Sequence, residues 1–129
     1  MNVKFTYSAE GIVETLTIKD YRGEHTLVVD AVESFKAEDG IVLVKSDNAH
    51  YLIDSSLKRL IAILPTAFIE VHRNRIINTS FAVGWYKNEI IMDSGELYPM
   101  SRRKKPFCKL ALKKLSKQEY KLYTRQVEN

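Results

Sequence analysis

Several features of exported or membrane-bound proteins are scarce or missing in this sequence. Cys108 is the only cysteine, so the chain cannot form an internal disulfide, which fits a reducing compartment. No apolar run approaches the ~20 residues that a membrane-spanning helix needs. The first residues lack the charged and apolar blocks of a signal peptide. We therefore expect a cytoplasmic protein.

The residue sets of common catalytic sites are missing as well. His25, His50, His72 and Cys108 do not have the spacing of metal ligands. The sequence contains no glycine-rich phosphate loop and no nucleophile elbow. Cys108 lies in an apolar and basic stretch, which favours a buried small residue over a nucleophile. The sequence predicts that the protein is not an enzyme and has no cofactor or metal.

The positive charge is concentrated in the last quarter of the chain. Residues 1–99 contain 10 Lys and Arg against 14 Asp and Glu, whereas residues 100–129 contain 10 against 2. A local excess of this kind indicates a polyanionic partner, either nucleic acid or anionic lipid. The alternative is a solvated basic tail.

Most of the remaining pattern predicts short antiparallel strands. Segments such as GIVETLTI and IVLV are separated by turn residues at roughly ten-residue spacing. Asp39-Gly40 is a strong hairpin signal. Phe81, Val83 and Trp85 alternate and are predicted to share one core-facing side of a strand. The sequence therefore predicts a mainly β domain.

Two segments have helical periodicity. Leu57, Leu60, Ile61 and Leu64 form one apolar face after the capping residues Asp54-Ser55-Ser56, and Pro65 ends this helix. A second helical pattern runs from Arg102. Its predicted apolar side contains Phe107, Leu110 and Ala111. Residues 116–129 are predicted to form a basic C-terminal tail that is helical or frayed.

The segment Phe68–Asn78, FIEVHRNRIIN, interrupts an apolar run with polar residues. Uninterrupted alternation from Ile69 and Val71 would place Arg73 and Arg75 on the same buried face. Burying each of the two guanidinium groups without a partner would cost on the order of several kcal/mol. The strand is therefore predicted to end near His72, with a turn at Asn74.

Two motifs give the chain a resemblance to the LytTR family of bacterial DNA-binding domains. The first is FIEVHRNRIIN, which is similar to the family's Val-His-Arg-x-x-x-Val-Asn signature. The second is IIMDSGELYPMSRRKK, which resembles its glycine-containing turn and Ser-Arg-Arg run. The resemblance covers residues 15–115, with an N-terminal extension or first strand at 1–14 and the tail at 116–129.

The resemblance implies an elongated, antiparallel β-strand domain with one or two short α-helices. It also implies a cytoplasmic transcription regulator that binds double-stranded DNA through loops in the major groove, at paired direct repeats in promoters. A homodimer on DNA and a membrane or sensor-kinase partner are further expectations. The chain is then either a free-standing regulator or the C-terminal part of a response regulator.

The resemblance also assigns roles to individual residues. Arg73 and Arg103 stand at the positions of base-reading side chains. A second set is expected to bind phosphates or support the readers: His72, Asn74, Arg75, Ser101, Arg102, Lys104, Lys105 and Lys45. The family's third contact loop corresponds to Glu38-Asp39-Gly40. Many family members have Asn-Tyr where this sequence has Gly40-Ile41, and the two acids of the loop would face DNA phosphates, so we do not expect it to read bases.

Different interpretations remain for the same residues. Arg73 could instead pair with Glu70, and His72 could shape the turn. A β-rich module that binds RNA or single strands would need exposed aromatic rings, for which Trp85 and Tyr86 are the adjacent candidates. A protein-interaction or membrane-surface module would use the basic C-terminal end.

Overall fold

The structure, a computed structural model, describes residues 2–8 and 11–121. The chain divides into two compact units. One unit comprises Met1–Glu70 and Asn74–Ser80, and the other comprises Val71–Arg73 and Phe81–Asn129. Among the described residues, no helix is long and apolar enough to cross a membrane.

The described residues of the first unit form two sheets and one α-helix. The three-stranded sheet has the order β1-β2-β3, with antiparallel strands β1 (Asn2–Ser8), β2 (Gly11–Asp20) and β3 (Gly23–Val28). The five-stranded sheet has the order β6-β5-β4-β8-β7 and contains β4 (Val32–Glu38), β5 (Ile41–Ser46), β6 (Ala49–Ile53), β7 (Phe68–His72) and β8 (Arg75–Asn78). The last residues of β7 are counted with the second unit.

The core of the first unit follows from the alternation in these strands. Val42 and Val44 of β5 are buried, whereas Ile41 is exposed. They pack with Phe35 and with Leu60 from helix α1 (Leu57–Ile63). Burial of such side chains contributes roughly 1.5–3 kcal/mol each. This apolar face stabilises the sheet that ends in the β7–β8 turn.

The sequence prediction for α1 is confirmed. The Ser56 side chain accepts a hydrogen bond from the Arg59 N–H at 3.3 Å, which satisfies one of the donors at the helix start. Leu57 and Leu60 are buried, and Ile61 and Leu64 pack partly buried against the same core. The helix ends at Ile63, immediately before Leu64 and Pro65.

The second unit contains a four-stranded sheet and helix α2 (Lys105–Lys114). The sheet has the order β11-β10-β9-β12, with β9 (Ala82–Tyr86), β10 (Glu89–Met92), β11 (Leu97–Pro99) and β12 (Gln118–Glu119). β12 runs parallel to β9, and the Tyr120 N–H donates to the Trp85 carbonyl at 2.7 Å. A Cβ on Gly84 would lie 2.0 Å from the Gln118 carbonyl oxygen, so only glycine fits there.

The mainly β architecture with two α-helices is confirmed, but two details of burial are wrong. Trp85 is buried as predicted, whereas Val83 is 37% exposed. The reason is an irregularity in the β9–β10 register, where Ile91 pairs with Gly84 and Met92 with Ala82, so the alternation is interrupted at Val83.

In α2, the buried residues are Cys108 and Leu112, while Phe107 and Leu110 are 58% and 54% exposed. The sequence prediction of the apolar side was therefore wrong. Apolar residues occur on two sides of this helix, and periodicity alone cannot select between them.

The C-terminal prediction covers residues of which only part is described. Residues 118–119 form β12 rather than a helical turn, and residues 122–129 lie outside the described part of the chain. At the other end, the predicted boundary after residue 14 falls inside β2. The division into an extension, a DNA-binding domain and a tail remains a prediction.

Candidate nucleic-acid interface

The β7–β8 connection is a two-residue turn formed by Arg73 and Asn74. β7 ends at His72, as the sequence predicted, and the Asn74 carbonyl accepts a hydrogen bond from the Ala37 N–H at 2.8 Å. That bond ties the turn to the neighbouring strand β4. The polar interruption in FIEVHRNRIIN is therefore a turn at the end of a well-packed hairpin.

Buried apolar residues hold this turn on both sides. Val71 and Ile76 are fully buried, whereas Arg73 between them is exposed. Within residues 2–8 and 11–121, Arg73 has no hydrogen bond or ion pair to its guanidinium, so the alternative of a structural pair with Glu70 is not realised. The end of β7 thus presents an arginine that is exposed and has no partner in the described part of the chain.

A backbone hydrogen bond brings the second predicted motif to the first. The Ser101 N–H donates to the Val71 carbonyl at 2.8 Å. Arg73 follows Val71 by two residues, and Arg103 follows Ser101 by two residues. Both pairs lie in the second unit. The chain therefore folds the two predicted base-reading arginines into neighbouring segments, although 30 positions separate their numbers.

Ser101 also shapes the turn that carries Arg102 and Arg103. Its hydroxyl accepts from the Lys104 N–H at 3.2 Å, and its carbonyl accepts from the Lys105 N–H at 2.9 Å. Residues 102–104 form this turn, and α2 begins at Lys105. The serine acts on the backbone, which supports the two exposed arginines that follow it.

Asn88 is a supporting residue that sequence reasoning missed. Its side-chain oxygen accepts a hydrogen bond from the Lys105 ammonium, and its backbone carbonyl accepts from the Met100 N–H at 2.7 Å. Asn88 thereby fixes both ends of the segment 100–105. The only sequence signal was the predicted Lys87-Asn88 turn, in which Lys87 has a φ of 53°.

The charge at the start of α2 is unfavourable for the helix itself. Arg102 and Arg103 are exposed, Lys104 and Lys105 are partly buried, and the first turn contains no acidic residue. Cations at a helix N-terminus oppose the helix dipole. A bound phosphate would offset this effect, because it would pair with the side-chain charges.

A pair of like charges lies directly beside the β7–β8 turn. Arg75 of β8 stands opposite Lys36 of β4 in the antiparallel ladder. Like charges in directly opposed positions destabilise a sheet. Lys36 is 3.8 Å from Glu38, which offsets part of the repulsion.

The remaining predicted contacts differ in their surroundings. His72, Asn74 and Arg75 are partly buried, and each interacts with another group of the protein. Lys45 lies on β5 in the first unit, where its ammonium is 3.2 Å from the buried Glu33 carboxylate. The structure groups the residues around 71–73 and 101–105, and it places Lys45 in a structural ion pair.

The described residues give little support to single-strand binding by Trp85, to a reactive cysteine or to a metal site. Trp85 is 1% exposed, so its ring cannot serve as a stacking platform for single-stranded bases. Burial raises the pKa of the Cys108 thiol to about 11, which keeps it protonated and unreactive near neutral pH. Among the described residues, no three His, Cys, Asp or Glu side chains are grouped as metal ligands.

Comparison with known proteins connects this geometry to a family. The family model described as LytTr DNA-binding domain matches residues 23–121. Among solved structures, the chain is similar to the LytTr DNA-binding domain of a Bacillus cereus protein described as a methyl-accepting/DNA response regulator. The two share 24% identity and a TM-score of 0.69, over 76% of this chain and 95% of the other, which shows a common fold. No match was found among curated proteins.

Proposed function

Because the chain belongs to the LytTR family of DNA-binding domains, we propose that it is a sequence-specific, cytoplasmic transcription regulator that reads double-stranded DNA with two loops. Arg73 and Arg103 would contact base edges in the major groove. Arginine forms two parallel hydrogen bonds to guanine O6 and N7, which is the commonest specific contact in that groove. The targets would be paired direct repeats in promoters.

The observation that carries this proposal is the hydrogen bond from the Ser101 N–H to the Val71 carbonyl. It joins the backbone of the two arginine-bearing segments, so both readers can address one stretch of duplex. Base readers must be held by a rigid frame, because a mobile arginine loses more conformational freedom on binding. Buried Val71 and the Ser101 and Asn88 hydrogen bonds provide such a frame.

The surrounding polar residues would position the protein on the phosphate backbone. Arg102, Lys104 and Lys105 lie next to Arg103, and Asn74 and Arg75 follow Arg73. Phosphate contacts fix register and orientation but carry no sequence information. His72 and Ser101 support the two turns. Lys45 would reach phosphate only by exchanging its Glu33 partner, so we expect it to contribute least.

The partners beyond DNA follow from the same proposal. Two copies on a pair of repeats would form a dimer on DNA. A membrane protein or a sensor kinase would supply the control signal.

The proposal is tested by fluorescence anisotropy on three labelled probes. One is a duplex with two family-type direct repeats, one is a scrambled duplex, and one is the matching single strand. We expect preference for the repeat duplex at two salt concentrations. Removing one phosphate contact, as in Lys104→Ala, should weaken binding to both duplexes and reduce the salt slope by roughly one. Equal, salt-sensitive binding to all three probes would contradict the proposal.

A further inference from the structure

The short strand β12 brings the end of the described chain back to β9. Its two residues pair in parallel with Gly84 and Trp85, and the Tyr120 N–H donates to the Trp85 carbonyl at 2.7 Å. Both side chains of β12 are exposed, so the contact is made mainly by backbone atoms and by Tyr120. We call residues 117–120 the β12 segment.

Gly84 is the residue that leaves room for the β12 segment. Its φ lies outside the left-handed region, so its own backbone conformation does not require glycine. A Cβ at this position would lie 2.0 Å from the Gln118 carbonyl oxygen and 2.8 Å from Cε1 of the Tyr120 ring. Glycine weakens the interior of a strand, and it often marks a place where another backbone approaches closely. The glycine at position 84 is therefore explained by the β12 segment.

The C-terminal end of α2 is built to return the chain to β9. The Ser116 N–H donates to the Lys113 carbonyl at 3.0 Å, and the Lys117 N–H donates to the Leu112 carbonyl at 3.0 Å. These two bonds form a Schellman motif, in which Ser116 occupies the left-handed position with a φ of 62°. The β12 segment follows this reversal directly, so α2 ends in an element that is bonded to β9.

The N-terminal end of α2 is attached to the turn that follows β9. Asn88, two positions after the last residue of β9, accepts hydrogen bonds from the Lys105 ammonium and from the Met100 N–H. Between its two ends, α2 has two buried residues, Cys108 and Leu112. The helix is thus attached at both ends to β9 or to the turn after it. All of these residues belong to the second unit.

These attachments matter because little within α2 itself stabilises the helix. It has 10 residues, and isolated helices shorter than ~12–15 residues are marginal in water. Its first turn contains no acidic residue, and its N-cap residue Lys104 provides no side-chain cap, so cations oppose the helix dipole there. Arg102 and Arg103 lie in the turn directly before α2. Loosening of the helix would therefore loosen this turn as well.

We propose that Gly84 and Tyr120 are positioning residues for DNA binding, because they hold the β12 segment on β9 and thereby hold α2 and the turn that carries Arg102 and Arg103. This inference rests on the proposed function, since it assigns that turn to DNA. Release of the β12 segment would then weaken DNA binding without unfolding the sheet. Arg73 would be affected less, because it follows the fully buried Val71.

Two variants of the full chain release the β12 segment in different ways. Gly84→Ala places a methyl group against the Gln118 carbonyl oxygen, and Tyr120→Pro removes the N–H that donates to Trp85. The matched control is Val83→Ala, which changes the neighbouring position of β9, where the side chain is 37% exposed.

The first measurement is amide hydrogen exchange without DNA. Both variants should accelerate exchange several-fold in the β12 segment and also at Lys104, Lys105 and Cys108, whose N–H groups donate to carbonyls of the turn before α2. Val83→Ala should change neither region. Unchanged exchange in the β12 segment of both variants would overturn the inference. Faster exchange there with unchanged exchange at the start of α2 would overturn it as well.

The second measurement asks whether the β12 segment acts through the arginine turn. Gly84→Ala should weaken binding to the two-repeat duplex by at least about fivefold, the lower end of the effect of losing one arginine–guanine contact. It should do the same in an Arg73→Ala background, but it should have little effect in a chain that already carries Arg102→Ala and Arg103→Ala. A general loss of folded protein would act equally in both backgrounds, so an equal loss would overturn the inference.

The exchange measurement also separates this inference from the proposed function. Faster exchange at the start of α2 in both variants, together with equal binding of all DNA probes by the wild type, would support the attachment of α2 by the β12 segment and contradict specific DNA reading. Specific DNA binding that Gly84→Ala and Tyr120→Pro leave unchanged would overturn the inference and leave the proposed function intact.

Discussion

Two tight turns in the five-stranded sheet differ in what explains their residues. In the Asp39-Gly40 turn, φ is 51° and 80°, so the backbone itself demands residues that tolerate the left-handed region. In the Arg73-Asn74 turn, neither of these two described residues has a positive φ. The first turn has the sequence that its backbone requires. The second has an exposed arginine that its backbone geometry does not require, and we propose that this arginine binds DNA.

A similar contrast exists between two exposed arginines. Arg22 donates to the Asp20 carboxylate from two of its nitrogens, at 3.0 and 2.7 Å, and to the His50 carbonyl at 3.2 Å. Its guanidinium also lies 5.2 Å from the centre of the Tyr51 ring. Arg22 therefore fastens the β2–β3 turn, whereas Arg73 has no such partner among the described residues. Exposure alone does not identify a functional arginine.

The largest expected effect on stability distinguishes the buried residues that hold the β7–β8 turn from the exposed arginine within it. Ile76→Ala removes a fully buried side chain and should lower the free energy of unfolding by about 2–5 kcal/mol. Arg73→Ala, three positions away, should change it by less than about 0.5 kcal/mol. Urea unfolding measures both. The comparison fails if Arg73→Ala destabilises the fold as much as Ile76→Ala.

Much of this frame could be predicted from the sequence. The end of β7 near His72, helix α1 with its serine cap and the burial of Trp85 all follow from local patterns with one reasonable solution. The buried side of α2 could not be predicted in this way, because Cys108 and Leu112 form one apolar side of the helix and Phe107 and Leu110 form another. Val83 was misplaced because an irregular strand register depends on the partner strand, which periodicity within β9 does not contain.

The candidate site was predictable only in part, for a comparable reason. The basic residues and the two motifs are visible in the sequence, and so are their roles by resemblance. The hydrogen bond between Ser101 and Val71, and the support from Asn88, join segments that are distant in sequence. The Glu33 partner of Lys45 was equally hidden, since Lys45 lies opposite Ser34 on β4 and the pairing requires the sheet register.

A smaller effect on stability is expected at the Asp39-Gly40 turn, where the backbone conformation explains the choice of residues. Gly40 has a φ of 80°, and a Cβ there would meet nothing within 4 Å, so Gly40→Ala should cost only the strain of the left-handed region, about 1–2 kcal/mol. Its affinity for the repeat duplex should equal that of the wild type. Urea unfolding and fluorescence anisotropy on the same variant check both statements. A selective loss of DNA binding would contradict the distinction between a structural turn at Asp39-Gly40 and a DNA-binding turn at Arg73-Asn74.

The smallest effect concerns the structural arginine and its dependence on pH. Desolvation opposes ionisation of Asp20, but hydrogen bonds from Arg22 and His25 outweigh it and lower the pKa of that carboxyl from 3.8 to about 2. A lowered folded-state pKa contributes stability above the unfolded pKa and loses it as pH falls. Stability should therefore decline between pH of about 4 and about 2, and Asp20→Asn should flatten this decline in acid unfolding curves.

The central claim is that Arg73 is presented for sequence-specific DNA binding, and anisotropy with Arg73→Ala tests it most directly. The variant should bind the two-repeat duplex about 1–3 kcal/mol more weakly than the wild type and lose most of its preference over the scrambled duplex. Arg103→Ala should behave in the same way, and Arg59→Ala on α1 serves as the exposed arginine control. If Arg73→Ala and Arg103→Ala both retain wild-type affinity and preference, the assignment of these two arginines as base readers is contradicted.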